Sequence, residues 1–418
     1  MYNSGYRPHK NIPSPLGFIL CFISKNFFMD QITTFDVLIV YSERLATSAN
    51  SLFEDVTAPF AKGSGNENYN LVYSYFLKTC RKNNLKAAFT TSADIVGAGK
   101  CQGYWLFENE TWTKIRKTGF SKMIFDKFSP TSKRVKVSRN LLFSSKIVRA
   151  FNNPHLFNLC FDKQKTYNKL HKFSIPTVTI DDRTRKRVDK ALKILKEKMV
   201  RHQHKDDFSE ELIMKDRFGA GGINVYKFKA SQSNMMIMSM KKHKKISFII
   251  QPFIKFNKGF SYKNSLVSTD IRLIHLGNKI IQAYIRMAKK GDFRCNEHKG
   301  GLLKYIPKNE VPSKVVAVSR NIAKILNKKS SLFTLDFIIS NNGNIYLLEA
   351  NTGPGLDWNL SIKENEIEAK KLMRIIIKEI VRRISSSKNT SERKAVVATV
   401  NTSMISEYPV SPNILTKI

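Results

Sequence analysis

The sequence predicts an α/β protein, and three observations lead to that fold class. Hydrophobic residues make up 42% of the 418 residues and charged residues 25%, which is typical of globular rather than disordered chains. Short β-rich apolar runs alternate with segments of helical apolar spacing, as they do in βαβ layers. A chain of this length can also bury a substantial core and divide into two or three domains.

The first α/β domain is expected to span residues 29–158. Apolar spacing predicts strands at residues 35–40 and 85–90, with a helix at residues 69–82 between them. Residues 1–28 carry no such pattern, and we expect them to form a disordered extension. Met29 is a candidate translation start, because the first predicted strand follows it closely.

The remaining elements follow from apolar spacing and turn residues. A helix is expected to end before Pro176, because the residue before a proline resists helical geometry. Beyond Ser385 the composition turns to Ser, Thr, Asn and Lys, so residues 385–418 are expected to form a flexible tail. Helices are predicted at residues 162–173, 183–202, 315–326 and 364–384. Strands are predicted at residues 211–215, 246–254, 271–274, 279–286, 332–340 and 344–350.

Composition limits the partners and the compartment. The formal net charge of +38 would attract phosphates, acidic polymers or anionic membranes, although general compositional drift explains it equally well. Nucleic-acid readers cluster their arginines, whereas this charge is spread along the chain, so nucleic acid is not the expected partner. No apolar run approaches the ~20 residues that span a membrane. The five cysteines form no CxxC pair, which favours a reducing, cytoplasmic compartment.

The chemistry is expected near a hairpin in the last third of the chain. Asn342-Gly343 lies between two apolar β runs and predicts a two-residue type I′ turn. In the register of that turn Asp336 faces Glu349, and Asn351 shares their face because residues two apart point the same way. The same register pairs Asn341 with Asn344 and Ile338 with Leu347.

Two opposed carboxylates in this position indicate a metal site. Two acids held opposite each other in an apolar β core repel and are costly to bury. A hard divalent cation resolves the conflict, because carboxylate and amide oxygens suit Mg²⁺ or Mn²⁺ together with substrate phosphates. We therefore predict that Asp336, Glu349 and Asn351 bind such a cation. The alternative is an exposed hairpin end with two solvated acids.

A glycine-rich loop is the second chemical signal. The predicted strand at residues 211–215 ends in Lys215 and leads into Gly219-Ala220-Gly221-Gly222. Successive small residues let backbone N–H groups approach a polyphosphate, and the lysine supplies a compact positive charge. Glycine-rich hairpin loops are common, so the signal gains weight only from its position upstream of the metal hairpin.

These motifs together resemble those of the ATP-grasp ligases, and within them the RimK-like glutamate-ligase branch. The resemblance runs from Asp162 to about Pro354. In the first region, Gly103-Tyr104-Trp105 and the region of Asp126-Lys127 are similar to a group of ATP-grasp proteins linked to spore coats. The matching residues, in order, are Asp162 and Lys163, then Lys215 with its glycine loop, residues 249–254, Asp270, Arg272, Arg286, Arg294, Asn296 and Gly301, and finally Asp336, Glu349, Asn351 and Gly355.

The resemblance implies an ATP-grasp fold, in which two α+β subdomains clasp ATP after a small α/β domain. It places these subdomains at residues 159–254 and 255–384. It also implies roles for particular residues. Lys163, Lys215, Gly219, Ala220, Gly221 and Gly222 would hold the phosphates of ATP, and Gln251, Pro252 and Ile254 its adenine. Arg286, Arg294 and Asn296 would face the transferring phosphoryl group and the tetrahedral intermediate.

The activity implied by the resemblance is the ATP-dependent joining of a carboxylate to an amine through an acylphosphate. The expected partners are ATP with Mg²⁺, a small-molecule or peptide carboxylate and an amine acceptor, with an acidic polymer as a further candidate. The family usually places an acid after the adenine strand to hold the ribose, and residues 255–261 contain none. Two alternatives stay open: a nucleotide-binding coat or scaffold protein without turnover, and a basic nucleic-acid-binding protein.

Overall fold

The computed structural model describes residues 32–46, 56–130, 132–326, 331–356 and 362–405, with the backbone alone at residue 298 and residues 387–405. The expected extension at residues 1–28 lies outside the described residues, as do residues 406–418 of the expected tail. None of the helices in these ranges combines the length and apolar character that a membrane crossing requires.

The first region contains the predicted strand–helix–strand unit, β2-α1-β3, followed by a run of further strands. Its strands are β1 (Thr33–Phe35), β2 (Val37–Tyr41), β3 (Ala87–Thr91), β4 (Ile95–Gly97), β5 (Lys100–Cys101), β6 (Tyr104–Glu108), β7 (Thr111–Ile115), β8 (Gly119–Ser121), β9 (Met123–Lys127) and β10 (Arg149–Ala150). Its helices are α1 (Tyr69–Lys82), α2 (Lys133–Leu142) and α3 (Pro154–Phe161). One sheet has the order β10-β9-β2-β3-β6-β7 and the other β1-β8-β5-β4. Strand β2 runs parallel to β3 and β9 and is buried throughout, which explains its unbroken apolar sequence.

The middle region is an antiparallel sheet covered by helices. Its helices are α4 (Lys163–Leu170), α5 (Arg185–Val200) and α6 (Ser233–Lys242). Its strands are β11 (Val178–Ile180), β12 (Phe208–Asp216), β13 (Val225–Lys229) and β14 (Phe248–Ile254), in the order β11-β14-β12-β13. Helix α5 buries Val188, Ala191 and Leu195 against this sheet, the stripe that its apolar spacing predicts. The glycine loop joins β12 to β13, so it stands at one end of the sheet.

The third region is a second antiparallel sheet. Its strands are β15 (Thr269–Leu276), β16 (Lys279–Met287), β17 (Leu302–Tyr305), β18 (Leu332–Ile339) and β19 (Ile345–Asn351), in the order β17-β16-β15-β18-β19. Helix α7 (Ser313–Leu326) packs on one face through Val315 and Ile322. On the other face, helix α8 (Lys363–Ile405) joins a core shared with the first region, in which Phe76 and Ile376 are fully buried.

The predicted helix bounds differ from the structure at several ends: α4 already ends at Leu170, α5 is two residues shorter at each end, and α7 begins two residues earlier. The helix expected at residues 162–173 starts one residue later, because Asp162 has extended backbone (φ −107°, ψ 106°) and caps α4. Helix α8 continues to Ile405 instead of ending at Ile384. Residues 385–405 contain neither glycine nor proline, and Ser, Thr and Asn lower helix propensity by only a few tenths of a kcal/mol, so nothing there ends the helix.

The turn of the β18–β19 hairpin is also different from the prediction. The N–H of Ser340 donates to the carbonyl of Asn344 across 2.8 Å, so the loop has three residues. Of these three, Gly343 alone has a positive φ, at +84°. This is the geometry of a three-residue loop that ends in a left-handed glycine rather than of a type I′ turn. The predicted pairing of Asn341 with Asn344 is therefore wrong.

A β-bulge corrects the register further along the same hairpin. Ile338 pairs with Tyr346, not with Leu347 as predicted, because the longer loop shifts the strands by one residue. The register then shifts again between Asp336 and Phe337, which inserts one extra residue into β19. As a result Asp336 does pair with Glu349, as predicted.

Candidate active site

One cavity collects most of the residues that the sequence singled out. It lies between the glycine-loop end of the middle sheet and the part of the third sheet's face that α8 leaves open. The predicted residues that line it are Lys163, Lys215, Gly219, Ala220, Gly221, Gly222, Gln251, Pro252, Ile254, Arg286, Arg294, Asn296, Asp336 and Glu349. Asn351 is outside this lining: it pairs with Thr334, one step further along the sheet.

Two lysines bring positive charge to the cavity from different elements. Lys163 is the first residue of α4, and its Nζ lies 3.0 Å from Oε1 of Glu349 while also donating to the carbonyl of Gly219. Lys215 lies near the end of β12 with its side chain buried. Burial lowers the pKa of Lys215 to about 8, against the opposing attraction of Glu349 and Asp336. The two ammonium groups thus flank the acids and the glycine loop.

The glycine loop has a conformation that only glycine adopts easily. Gly221 and Gly222 have φ values of +69° and +70°, in the left-handed region. A Cβ on Gly222 would come within 2.6 Å of Oδ1 of Asn296. The loop therefore packs directly against the third region, and its backbone faces the cavity without intervening side chains.

The end of the cavity beside β14 is mostly apolar. Gln251 is held there, because its Nε2 donates to Oγ1 of Thr177 at 2.7 Å and that hydroxyl donates to the carbonyl of Ile175 at 2.8 Å. The apolar lining residues at this end include Phe256, Ile338 and Leu348. Apolar walls with a few fixed polar groups suit a planar heteroaromatic ring.

A buried network of acids and arginines forms the floor. Arg272 donates to both carboxylate oxygens of Asp336, from Nε at 2.6 Å and from Nη2 at 2.5 Å. Arg286 donates to the same carboxylate at 2.9 Å. Arg286 also forms a bidentate ion pair with Asp270, with two hydrogen bonds of 2.8 Å. Arg294 forms its own fork with Asp292.

The pKa values of the acids reflect this network. Burial alone would raise the pKa of Asp336, but Arg272 and Arg286 outweigh it and hold that pKa below its usual range. Lys163 and Lys215 likewise outweigh burial at Glu349 and lower its pKa. At Asp270 burial prevails over Arg286, and the pKa is raised. Each of the three buried acids, Asp270, Asp336 and Glu349, is thus next to at least one arginine or lysine.

Sequence reasoning left Asp270 and Arg272 out of the site. Asp270 lines the cavity, and Arg272 holds Asp336 from the neighbouring strand. Their spacing of two residues on β15 puts both on the face that carries Asp336. This alternation was the available signal. Asp270 and Arg272 are among the residues of the family resemblance, but their pairing with the strand of Asp336 is not visible in the sequence.

The residues at the hairpin fit a hard divalent cation. Asp336 and Glu349 are opposite each other on β18 and β19, and Asn351, which pairs with Thr334 two residues further along, carries an amide oxygen. Oxygen donors of this kind match Mg²⁺. Within the described ranges no three His, Cys, Asp or Glu side chains cluster as metal ligands, so two carboxylates would need the amide, water or a phosphate to complete a coordination shell.

Comparison with known proteins identifies the family of the chain. The family model of the RimK-like ATP-grasp domain matches residues 165–376, half of the chain. Proteins named probable alpha-L-glutamate ligase are also similar. The one from Vibrio vulnificus is 30% identical over 146 residues, covering 35% of this chain and 44% of that protein. The one from Legionella pneumophila is 32% identical over 148 residues, covering 35% and 43%. The match thus spans less than half the length of these curated relatives.

Solved structures with low identity show the same fold. D-alanyl-alanine synthetase A from Vibrio cholerae has a TM-score of 0.52 at 13% identity, and the alignment covers 84% of this chain and 98% of that chain. D-cycloserine synthetase has a TM-score of 0.51 at 12% identity, covering 82% and 99%. The predicted α/β fold of the ATP-grasp type is confirmed, and the family match together with the cavity shows that the chain belongs to the RimK-like ATP-grasp family.

Proposed function

We propose that this protein is an ADP-forming, ATP-dependent ligase that joins a carboxylate to an amine. The observation that carries the proposal is the convergence of two lysines, a glycine loop and a pair of opposed carboxylates on one cavity. A carboxylate oxygen of the substrate would attack the γ-phosphorus of ATP, forming an acylphosphate and releasing ADP. The amine would then attack the acyl carbon, with loss of phosphate and of a proton, to give the amide.

The residues divide this work by position. Lys163, Lys215 and the glycine loop would bind and orient the phosphates, and the strand with Gln251, Pro252 and Ile254 would bind adenine. Asp336, Glu349 and Asn351 would hold Mg²⁺ or Mn²⁺, which neutralises charge between the β- and γ-phosphates when bound. Arg286, Arg294 and Asn296 would stabilise negative charge on the transferring phosphoryl group and the tetrahedral intermediate.

The domain division belongs to the same proposal. Residues 29–158 would form the preceding α/β domain, residues 159–254 the lid subdomain and residues 255–384 the subdomain with the metal hairpin. Closing the lid over the third region would exclude water and protect the acylphosphate from hydrolysis. The packing of Gly222 against Asn296 supports this, because it brings the lid loop to the site of transfer.

The finer identity of the substrates is also a proposal. We propose an acidic peptide or protein as one substrate and an amino acid as the other, in a cytoplasmic compartment. The net charge of +38 supports an acidic acceptor, and so does the similarity to proteins named alpha-L-glutamate ligases. Nucleic acid is not part of the proposal, because the positive charge is spread rather than clustered.

The test is a product screen with active-site variants. The protein is incubated with ATP, Mg²⁺, pooled amino acids and acidic peptides, and ADP release and amide products are measured, the latter by mass spectrometry. Asp336→Asn and Lys215→Ala should each reduce ADP release by about a hundredfold or more, since each removes charge stabilisation from the transferring phosphate. Asp181→Asn and Lys196→Ala, at exposed positions, serve as matched controls. Wild-type turnover in both active-site variants would refute the assignment.

A further inference from the structure

We propose that Asp162 and Arg217 are positioning residues that hold Lys163 and the glycine loop in one arrangement for the nucleotide phosphates. Neither residue lines the cavity. The inference therefore concerns how the phosphate-binding groups are ordered before a ligand arrives. It rests on the proposed function, because it assigns a role to residues behind the same site.

The first observation is an ion pair at the start of the glycine loop. Arg217 follows Lys215 by two residues, and its guanidinium binds the Asp162 carboxylate with two bonds, at 2.7 and 2.6 Å. The Asp162 side chain is only 5% exposed and that of Arg217 24%. Burial alone would raise the pKa of Asp162, but Arg217 and nearby backbone N–H groups outweigh it and keep that pKa below its usual range. A planar fork of this kind fixes orientation as well as charge.

The second observation is that the same carboxylate caps helix α4. Oδ1 of Asp162 accepts from the N–H groups of Gln164 at 3.0 Å and Lys165 at 3.3 Å. The helix begins with Lys163, so the cap sets the direction in which the lysine leaves the backbone. One side chain therefore determines the position of both the lysine and the loop.

The third observation is that Lys163 is bound to the loop at both of its ends. Its backbone N–H donates to the carbonyl of Arg217 at 3.2 Å, and its Nζ donates to the carbonyl of Gly219. Behind the loop, the Phe218 ring stacks on Phe161 with centroids 5.3 Å apart. These contacts join segments that are distant in sequence, 161–165 and 217–219, into one unit beside the cavity.

The flexibility of the glycine loop gives a physical reason for the Asp162–Arg217 ion pair. Its glycines lose more backbone freedom on ordering than other residues do. If the loop were ordered only when the nucleotide binds, the free-energy cost of ordering it would weaken binding. An ion pair that orders the loop in advance should therefore increase nucleotide affinity without touching the nucleotide.

The test compares variants by their affinity for ADP with Mg²⁺, measured by titration calorimetry on the full chain. Arg217→Gln removes the fork. Asp162→Asn removes it too but keeps the cap, because asparagine is an equally good N-cap. Each variant should weaken ADP binding about tenfold, the loss of one charge-assisted contact. Arg185→Gln is the control: it removes an exposed ion pair on α5, in which Nε of Arg185 donates to both carboxylate oxygens of Asp189, and it should bind ADP as the wild type does.

Two further measurements separate positioning from simple stabilisation. Arg217→Lys keeps the charge but loses the fork, and it should recover only part of the affinity. In a double-mutant cycle, Arg217→Gln should cost less affinity on the Lys163→Ala background than on the wild-type background, because part of its effect is made through that lysine. Thermal unfolding of every variant checks that the fold is intact.

Each outcome decides the matter. If Arg217→Gln and Asp162→Asn lower the melting temperature but bind ADP within twofold of wild type, the ion pair only stabilises the fold and the inference is wrong. Full additivity with Lys163→Ala would also overturn it. A wild-type chain that binds ADP but forms no amide would refute the proposed ligase activity. The ADP affinities of the variants would still test the positioning role of Asp162 and Arg217. A wild-type chain that binds no ADP would overturn both.

Discussion

Lys215 is a charged group placed where water is scarce. Its side chain is buried in the cavity, and its pKa falls to about 8 because burial disfavours the ammonium form. In the unfolded chain the pKa of the lysine side chain is ~10.4. Between these two values the unfolded state binds more protons, so the free energy of unfolding should rise with pH in that window. A buried cation of this kind therefore costs stability.

The pKa of Lys215 predicts a pH dependence of nucleotide binding. Phosphates favour the ammonium form, which is mostly present at pH 7 and mostly lost at pH 9, so ADP affinity should fall about tenfold over that range. Binding near pH 8 should also take up protons, which calorimetry in buffers of different ionisation enthalpy measures. Lys215→Arg is the control, because its guanidinium stays charged throughout. An equal pH slope in wild type and Lys215→Arg would exclude Lys215 as the titrating group.

At the scale of elements, the β18–β19 hairpin is tied to the middle region by one acid. Asp207, just before β12, accepts hydrogen bonds from Asn342 at 2.8 Å, Asn344 at 2.9 Å and Tyr346 at 2.6 Å. Burial would raise the pKa of Asp207, but these donors outweigh it and lower that pKa. The acid thus holds the three-residue loop that the sequence did not predict, and with it the strands that carry Asp336 and Glu349.

Removing this acid should loosen the hairpin. Asp207→Ala should lower the free energy of unfolding by about 2 kcal/mol, because it leaves the buried hydroxyl of Tyr346 without its acceptor and removes the bonds from Asn342 and Asn344. Since the folded pKa is depressed, the stabilisation is present above the unfolded pKa and is lost as pH falls through the folded pKa. Urea unfolding at pH 7 and at acidic pH measures both effects. Asp206→Ala is the control at the exposed neighbouring position. If Asp207→Ala and Asp206→Ala changed the free energy of unfolding equally, Asp207 would not be the residue that stabilises the hairpin.

For the whole molecule, helix α8 links the two ends of the described chain. Ile376 and Met373 are fully buried in the same core as Phe76 and Phe125 of the first region. Arg383 also donates to the backbone carbonyl of Phe151. Burial of this kind couples the first region to the ligand-binding part, so we expect them to unfold together.

The shared core gives a test with a control on the same helix. Ile376→Ala should lower the free energy of unfolding by about 3 kcal/mol, through lost burial and the cavity left behind. Ile367 is 52% exposed on α8, and Ile367→Ala should change the free energy of unfolding by less than about 0.5 kcal/mol. Far-UV circular dichroism and tryptophan fluorescence would follow the unfolding, in a chain whose Trp358 is replaced by phenylalanine so that only Trp105 and Trp112 of the first region contribute to the fluorescence. A fluorescence transition that Ile376→Ala leaves unchanged would show that the first region unfolds independently.

Local patterns in the sequence determined much of the fold and of the candidate site. The spacing of apolar residues predicted α5 and the paired strands, and the glycines marked the loop beside Lys215. The Asp336–Glu349 pair was also predicted, although the three-residue loop and the β-bulge that produce it were not. Two register errors cancelled, because each shifted the strands by one residue in opposite directions.

Only the tertiary structure decided how these local elements meet. Arg272 and Arg286 neutralise Asp336 from β15 and β16, and Lys163 reaches Glu349 from a helix far away in the sequence. The Asp162–Arg217 ion pair and the burial of α8 on the first region are likewise contacts between distant segments. Turns and periodicity are set by neighbouring residues and can be read from the sequence. Contacts of this second kind depend on the free energy of packing the whole chain, which no short stretch of sequence specifies.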